Sequence, residues 1–384
     1  MKKRYLSAAF SKGGGFKRKS IFRLAALVIC IAVLIGAFCG CGGKDEPSET
    51  PAPAKTSVPT ETPAPTDVPE TPAPTSAPLA YTLDYHRATP LLERAVGEQV
   101  VEGARMVIDA FAAGETSVKF GFDSYDPAFA LNTMFAVRSM CPPFTAFAEC
   151  NDYRDFDAET GTLKWKIINV EPEKLGEKLQ IFESTAKDFM SALCEDDNDI
   201  ERALLLYSRL TAHAEYDYEV FDDAQNISEE EYNYRTSAYA VMCDGMGICY
   251  SFSEAMTFLC AQAGVDCISV NCINESIAHE WNIIKLGGKY YYCDATWDVG
   301  GTFNYFGMTT EERVENSGGI KAEDMTTLST HPEELLDGAI PADTRFAALR
   351  AHSTSMPVTV EIDRATDEAI FTIVDESFRV SCAE

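Results

Sequence analysis

Three residues in this sequence have side chains suited to nucleophilic chemistry, namely Cys249, His279 and Asp294. A thiolate is a strong nucleophile, and a histidine can accept the thiol proton. A carboxylate can hold the imidazole in the tautomer and orientation that this transfer requires. The three residues follow one another at separations of 30 and then 15 residues. They are therefore candidates for a joint site, provided that the fold brings them together.

The segment after Cys249 predicts an amphipathic helix that begins at this cysteine. Its apolar residues recur at helical spacing, at positions 252, 255, 256, 259, 260 and 263. Gly245 and Gly247 allow a sharp turn just before it, and Gly264 is suited to the C-cap. Because free N–H groups and the helix dipole favour a thiolate, we expect the start of this helix to lower the pKa of Cys249.

A hairpin is predicted for the segments that carry His279 and Asp294. Gly287-Gly288 separates two runs of strand-forming residues, which is typical of a two-residue loop. With that loop, paired positions sum to 575, so that His279 faces Thr296. His279 and Asp294 would then be diagonal neighbours on one face, roughly 7–8 Å apart at the backbone. A three-residue loop would place them on opposite faces.

The three segments together resemble the transglutaminase-like superfamily. The matching stretches are Gly247-Ile248-Cys249, Ala278-His279-Glu280-Trp281-Asn282 and Lys289-Tyr290-Tyr291-Tyr292-Cys293-Asp294-Ala295-Thr296-Trp297-Asp298. The helix before the cysteine, in Leu204–Tyr218, and a closing strand at Asn304-Tyr305-Phe306 extend the resemblance over about 198–310. It implies a papain-like core, in which a central helix packs on an antiparallel sheet.

The resemblance also implies the roles of the site residues. Cys249 would be the nucleophile, His279 its base and Asp294 the group that orients the imidazole. The expected reaction is attack on an amide bond of a peptide or protein to give a thioester, without a cofactor. Water resolves the thioester in a protease, and an amine resolves it in a transglutaminase.

Two departures from the family pattern leave an alternative open. The family commonly has Gly and a Tyr-Ala pair just after the Cys, where this sequence has Tyr250, Ser251 and Phe252, so that a bulkier Ser251 could narrow the site. No Gln lies within the twenty residues before Cys249 to bind an oxyanion. The backbone N–H of Cys249 could serve as one donor, and the second donor is unassigned. The alternative is a cell-surface binding module on a catalytically retired fold.

The first 40 residues predict a signal peptide of the lipoprotein type. The basic leader contains no acid, and the apolar run 24–39 is shorter than the roughly 20 residues of a membrane span. Gly40-Cys41 at its end resembles a lipobox, so that Cys41 would carry lipid on the outer face of the cytoplasmic membrane. An uncleaved membrane helix is the alternative. Residues 41–79 predict a Thr/Pro-rich disordered stalk.

The charge argues against nucleic acid as a partner. The net charge is −28, and the eight basic residues before Cys41 leave −36 on the remainder. No CxxC pair or Cys/His cluster with zinc spacing occurs, so no metal is expected. Ten cysteines follow Cys41, and whether any of them form disulfides stays open.

The remaining pattern predicts an α+β fold. Helices are expected near 91–113, 127–140, 172–194 and 198–213, and strands near 116–122 and 162–170. We divide the exported part into an N-terminal α+β lobe (80–197), a transglutaminase-like catalytic domain (198–310) and a C-terminal extension (311–384). The extension is expected to contain a β-hairpin over 357–374.

Overall fold

The computed structural model describes residues 76–151, 154–273, 278–316, 320–321 and 338–383. The predicted signal peptide, the lipidation site Cys41 and nearly all of the stalk lie outside the described residues. Within the described ranges, no helix combines the length and the apolar character needed to cross a membrane.

Helices and short antiparallel strands alternate along the chain, and the α+β class is confirmed. The helices of the first half are α1 Pro90–Val96, α2 Glu98–Ala112, α3 Phe129–Met140, α4 Pro142–Phe147, α5 Leu175–Met190 and α6 Asp199–His213. Those of the second half are α7 Tyr218–Asp223, α8 Glu229–Arg235, α9 Ala238–Cys243, α10 Cys249–Ala263, α11 Thr310–Glu315 and α12 Ala347–Ala351. The strands are β1 Ser117–Lys119, β2 Ala148–Glu149, β3 Phe156–Asp157, β4 Thr162–Lys164, β5 Lys166–Ile167, β6 Glu215–Tyr216, β7 Met246–Gly247, β8 Asp266–Ile273, β9 Ala278–Leu286, β10 Lys289–Cys293, β11 Thr359–Asp363, β12 Glu368–Ile373 and β13 Glu376–Ser381.

The helix α10 is the centre of the fold. It begins at Cys249, as predicted, and ends at Gly264, whose φ of 76° lies in the left-handed region that favours glycine. One side packs on β8 and β9, and the other packs on α3, α5, α6 and α9. Every residue from Ser251 to Ala263 is buried, so the prediction of an amphipathic helix was wrong. Its polar side chains are covered because helices that precede it in the chain pack on one side and the strands β8 and β9, which follow it, pack on the other.

The predicted hairpin is confirmed with its register. β9 lies between β8 and β10 in an antiparallel sheet of order β10-β9-β8. Leu286 pairs with Lys289 and Asn282 with Cys293, so that paired positions sum to 575. Gly287 and Gly288 form the loop with φ values of 53° and 73°, which glycine adopts without strain.

The N-terminal elements are shorter and more interrupted than predicted. The helix expected over 91–113 is split at Gly97, where φ is 87°. The strand expected over 162–170 is divided into β4 and β5, and each part pairs with a different partner strand. The helix expected at 172–194 begins at Leu175, after a 3₁₀ turn over Pro172–Lys174, and ends at Met190. Because α3 and α5 pack on α10, this lobe shares its core with the segment 198–310. The boundary near residue 198 stays a prediction.

The C-terminal segment adds a sheet and a short helix. The predicted hairpin is present as β11 and β12, and an unpredicted third strand, β13, extends it. The helix α11 begins with a capping box in which Thr309 and Glu312 bond each other's backbone N–H groups. Asn304-Tyr305-Phe306 does not form the predicted strand, although the Tyr305 carbonyl accepts a hydrogen bond from the Asp294 backbone N–H at 3.1 Å.

Candidate active site

The Cys249 side chain lies at the first position of α10, partly exposed and as a free thiol. Ser251 Oγ accepts a hydrogen bond from the Ile248 N–H at 2.9 Å and so caps this end of the helix. The bulkier Ser251 is therefore accommodated in the turn. A Cβ at Gly247 would overlap the Val241 side chain, which explains why glycine precedes the helix here. This turn fixes where the thiol is presented.

His279 lies on β9, and its ring is held on both sides. Its Nε2 is hydrogen-bonded to Asp294 Oδ2 at 2.6 Å. The imidazole stacks on Trp297 at 4.7 Å and on Trp281 at 5.9 Å between ring centroids. An ionised Asp294 accepts the proton on Nε2, which leaves Nδ1 as the ring nitrogen able to receive another proton.

The thiol of Cys249 reaches the same strand. The backbone N–H of Glu280, the residue after His279, acts on the Cys249 thiol and favours its ionised form. Cys249 and His279 line one cleft of about 910 Å³. The structure therefore joins His279 directly to Asp294 and places Cys249 and His279 in the lining of the same cleft.

The carboxyl of Asp294 is fully buried and carries two charge-assisted contacts. Besides His279, Arg313 Nη2 donates to the same Oδ2 atom at 2.9 Å. Burial by itself would raise the pKa of Asp294, but His279 and Arg313 outweigh burial and hold the pKa below its usual value. Asp294 is therefore ionised at neutral pH.

The sequence patterns did not point to Arg313. It lies on α11, beyond the predicted catalytic segment, and its side chain is completely buried. Its guanidinium lies between Trp281 and Trp297, at 4.7 and 4.3 Å from the ring centroids. The pattern Thr-Glu-Glu-Arg-Val predicts an ordinary capped helix, and nothing in it indicates burial of the arginine.

A second buried carboxylate, Asp298, organises the loop after Asp294. Its oxygens accept hydrogen bonds from Tyr207 Oη, Thr302 Oγ1 and the backbone N–H groups of Asn304 and Tyr305, at 2.5–2.9 Å. Burial raises the pKa of Asp298 to about 6. The loop that it closes includes Tyr305, whose ring contacts Trp297 at 5.1 Å. Asp298 thus supports Trp297, the indole that flanks His279, indirectly through Tyr305.

Asp298→Asn should lower the free energy of unfolding by about 2–3 kcal/mol, because one amide oxygen replaces two carboxylate oxygens that serve four donors. Urea denaturation at pH 7.5 measures the difference. Asp188→Asn, at a carboxylate whose side chain is 76% exposed, is the control and should change stability little. An unchanged midpoint for Asp298→Asn would show that the loop does not depend on this carboxylate.

The thiol pKa differs from expectation. Burial raises the pKa of Cys249 to about 12, and the negative charge of Glu280 adds to the increase. Hydrogen bonds from the backbone N–H groups of Glu280 and Tyr250 oppose it without reversing it. The prediction of a lowered pKa at the helix start was therefore wrong, and the resting thiol at neutral pH is protonated. Any nucleophilic attack must remove that proton as it proceeds.

The other cysteines behave as small buried side chains or lie outside the cleft. Cys260, Cys267, Cys272 and Cys293 are buried, as expected for structural cysteines. Cys243, at the end of α9, donates to Thr185 Oγ1 at 3.6 Å and does not line the cleft. Asn282 bonds Ser253 and Thr257 inside the core and does not reach the site residues.

One wall of the cleft is formed by aromatic side chains. Tyr216 packs against both Tyr218 and Phe221, and all three rings line the cleft together with Trp297 and Tyr305. Tyr218 is 68% exposed, so this wall is open to solvent. The cleft can therefore accept an extended, partly apolar ligand next to the thiol.

Comparisons with known proteins identify limited similarity. No protein-family model matches the chain, and the comparison with curated proteins found no match. A crystal structure of a TGase is 20% identical over 34% of this chain and 34% of that chain, with a TM-score of 0.27. A proposed cysteine protease from Cytophaga hutchinsonii is 17% identical over 32% of this chain and 39% of that chain, with a TM-score of 0.23. This chain thus spans between a third and two fifths of the length of either structure.

Proposed function

We propose that this protein is a cysteine enzyme that attacks amide bonds of peptides or proteins, with Cys249 as nucleophile, His279 as base and Asp294 as the orienting acid. The observation that carries the proposal is the Nε2–Oδ2 hydrogen bond of 2.6 Å between His279 and Asp294. It leaves Nδ1 of His279 available to accept a proton from the thiol that lines the same cleft. The contact between the thiol and the Glu280 N–H supports the same arrangement.

The reaction follows from these positions. The thiol proton passes to His279 Nδ1 as the sulfur attacks the carbonyl carbon, and Asp294 stabilises the imidazolium that forms. The backbone N–H of Cys249, at the first position of α10, has no partner within the helix and can donate to the oxyanion. The imidazolium then protonates the departing amine, which leaves a thioester on Cys249. Water or a second amine releases the acyl group.

A peptide-trapping experiment tests the proposal. The full chain in detergent is incubated with a mixture of blocked peptides, with and without a primary alkylamine, and the Cys249 peptide is analysed by mass spectrometry. We expect an acyl adduct on Cys249 and turnover that Cys249→Ala abolishes. Free acid products indicate hydrolysis, and amine conjugates indicate acyl transfer. The absence of adduct and turnover across the mixture would contradict the proposal.

The competing function is a binding module that keeps the fold without turnover. The raised pKa of Cys249 and the unassigned second oxyanion donor favour this candidate. It predicts retained peptide binding without any adduct, and binding that Cys249→Ala leaves unchanged. The trapping experiment therefore separates the two functions.

We also propose that the enzyme acts outside the cytoplasm, attached through lipid on Cys41, with a peptide or protein as substrate and without nucleic acid as a partner. The basic leader, the apolar run and the Gly40-Cys41 pair support the anchor. Mass spectrometry of the mature protein should find Cys41 as the N-terminal residue, with lipid on its sulfur. A chain that still begins with the apolar run 24–39 would instead favour an uncleaved membrane helix.

A further inference from the structure

Arg313 and His279 share one oxygen atom of Asp294. Arg313 Nη2 lies 2.9 Å and His279 Nε2 lies 2.6 Å from Oδ2. A buried charge is costly unless it is paired, so the position of a completely buried arginine here requires the carboxylate. The Oδ2 atom in turn has two charged or chargeable donors that compete for its charge, and among the described residues Oδ1 accepts only the Trp297 backbone N–H at 3.4 Å.

The guanidinium and the imidazole are also held by the same two indoles. Trp297 lies 4.3 Å from the Arg313 guanidinium carbon and 4.7 Å from the His279 ring. Trp281 lies at 4.7 and 5.9 Å from the same two groups. A planar guanidinium stacks on aromatic faces in a way that an ammonium does not. Movement of Arg313 would therefore disturb the packing of both rings that flank His279.

The short helix that carries Arg313 is anchored independently. Glu312 on α11 accepts hydrogen bonds from Arg350, which also donates to the carbonyl groups of Phe306 and Gly307. The helix begins with the capping box described above. The helix α11, which positions the guanidinium next to Asp294, is thus bound to the fold by contacts that do not involve Asp294.

We propose that Arg313 is a positioning residue that fixes Asp294 and limits how much of the carboxylate charge is available to His279. The proposal rests on the proposed function, since it concerns the transfer of the Cys249 proton to His279. By holding part of the charge of Asp294, Arg313 makes the thiolate–imidazolium pair less favourable in the resting site. The site then rests as thiol and imidazole, and proton transfer accompanies attack.

The charge balance around the pair involves several further groups. The titratable and charged side chains that act electrostatically on Cys249, Asp294 or Arg313 are Glu280, His279, Tyr207, Tyr292 and Tyr305, and Asp298 acts on two of these tyrosines. None of these groups carries a permanent positive charge, whereas Arg313 does. Its removal is therefore the change that most alters the charge seen by an imidazolium at His279.

The test is the pH dependence of Cys249 alkylation by iodoacetamide in the full chain, followed by mass spectrometry of the Cys249 peptide. In Arg313→Gln the variant side chain retains an N–H donor for Asp294 but lacks the charge. We expect the alkylation midpoint to fall by about one pH unit or more relative to the wild type, because an opposite or like charge within a few ångströms shifts a titration by 1–3 units. Arg313→Lys keeps the charge and should restore most of the wild-type midpoint.

Arg364→Met is the matched control. Arg364 pairs with Asp197, a buried carboxylate at 2.6 Å, and neither residue contacts the site described above. We expect this variant to lose stability while its Cys249 midpoint stays at the wild-type value. An unchanged or raised midpoint in Arg313→Gln overturns the proposal and leaves Arg313 with a packing role only.

Failure of the proposed function has a separate signature. If His279→Gln and the wild type alkylate with the same midpoint, the thiol does not transfer its proton to His279, and the proposed function fails with the inference. If His279→Gln shifts the midpoint but Arg313→Gln does not, only the inference fails. If Arg313→Gln does not fold, Arg313→Lys carries the test, since its ammonium lacks the planar stacking and should give a midpoint at or slightly below the wild type. A Lys midpoint above the wild type overturns the inference.

Discussion

Turnover of a peptide substrate is expected to fall on the order of 10³-fold in His279→Gln, because general base catalysis contributes about 10²–10⁴-fold to such reactions. The loss should be large here because the Cys249 thiol has a pKa of about 12 and is protonated at neutral pH. A thiol that is already ionised could attack without a base. A protonated thiol depends on the nearby imidazole to remove its proton.

The measurement is kcat/KM for a peptide found by the trapping experiment, at pH 7.5. Raising the pH should partly restore the rate of His279→Gln, since hydroxide then ionises the thiol without the base. His86→Gln is the control, because His86 is exposed and bonds Asp109 on the surface. Equal kcat/KM in His279→Gln and the wild type would remove His279 from the mechanism.

Asp294→Ala should combine a large loss of activity with a large loss of stability. The activity should fall on the order of 10⁴-fold, as when the orienting acid of a Ser-His-Asp triad is replaced. The free energy of unfolding should fall by about 3–5 kcal/mol, because the completely buried Arg313 loses its partner. Asp197→Ala is the control for stability, since Arg364 is partly exposed and can be hydrated. It should leave turnover unchanged.

The milder variant Asp294→Asn separates charge from shape, and its stability should depend on pH in a defined way. The pKa of Asp294 is held below its usual value of about 3.9, so its ionised form stabilises the folded state. This stabilisation is fully present above about pH 4 and is lost as the pH falls through the lowered folded-state pKa. The stability difference between wild type and Asp294→Asn should therefore shrink as the pH falls below about 4.

Urea denaturation at several pH values between 3 and 8 measures this difference. A gap that stays constant down to pH 3 would show that the contact with Arg313 and His279 does not depend on ionised Asp294. The kinetic and thermodynamic readouts of Asp294 are thus independent, because activity depends on the orientation of the imidazole and stability depends on the buried arginine.

Two opposing electrostatic effects act on the pKa of Cys249. Burial and Glu280 raise the pKa of Cys249, whereas the backbone N–H groups of Glu280 and Tyr250 lower it. The helix start contributes in the second direction, but the close packing around α10 outweighs it. The expectation of a lowered pKa was wrong, because burial and Glu280 outweigh the N–H groups at the helix start.

The sequence by itself determined the local geometry that relates His279 to Asp294. The loop Gly287-Gly288 sets the register of β9 and β10, and Asp294, the residue directly after β10, then lies within hydrogen-bond distance of His279 on β9. The start of α10 at Cys249 and its end at Gly264 were also predictable, because glycines stand just before and just after this segment. Each of these features depends on residues that are neighbours in the chain or directly across a short loop.

Only the tertiary structure decided what surrounds that geometry. Arg313 comes from a helix beyond the recognised motifs, and the Tyr207–Asp298 contact joins residues 91 positions apart. The burial of α10 on all sides arises from helices that precede it by up to 120 residues. No periodicity records such contacts, because burial and the pairing of distant charges depend on how separate elements pack together. The pKa of the nucleophile follows from that packing, and so the chemical state of Cys249 could not be inferred from its own segment.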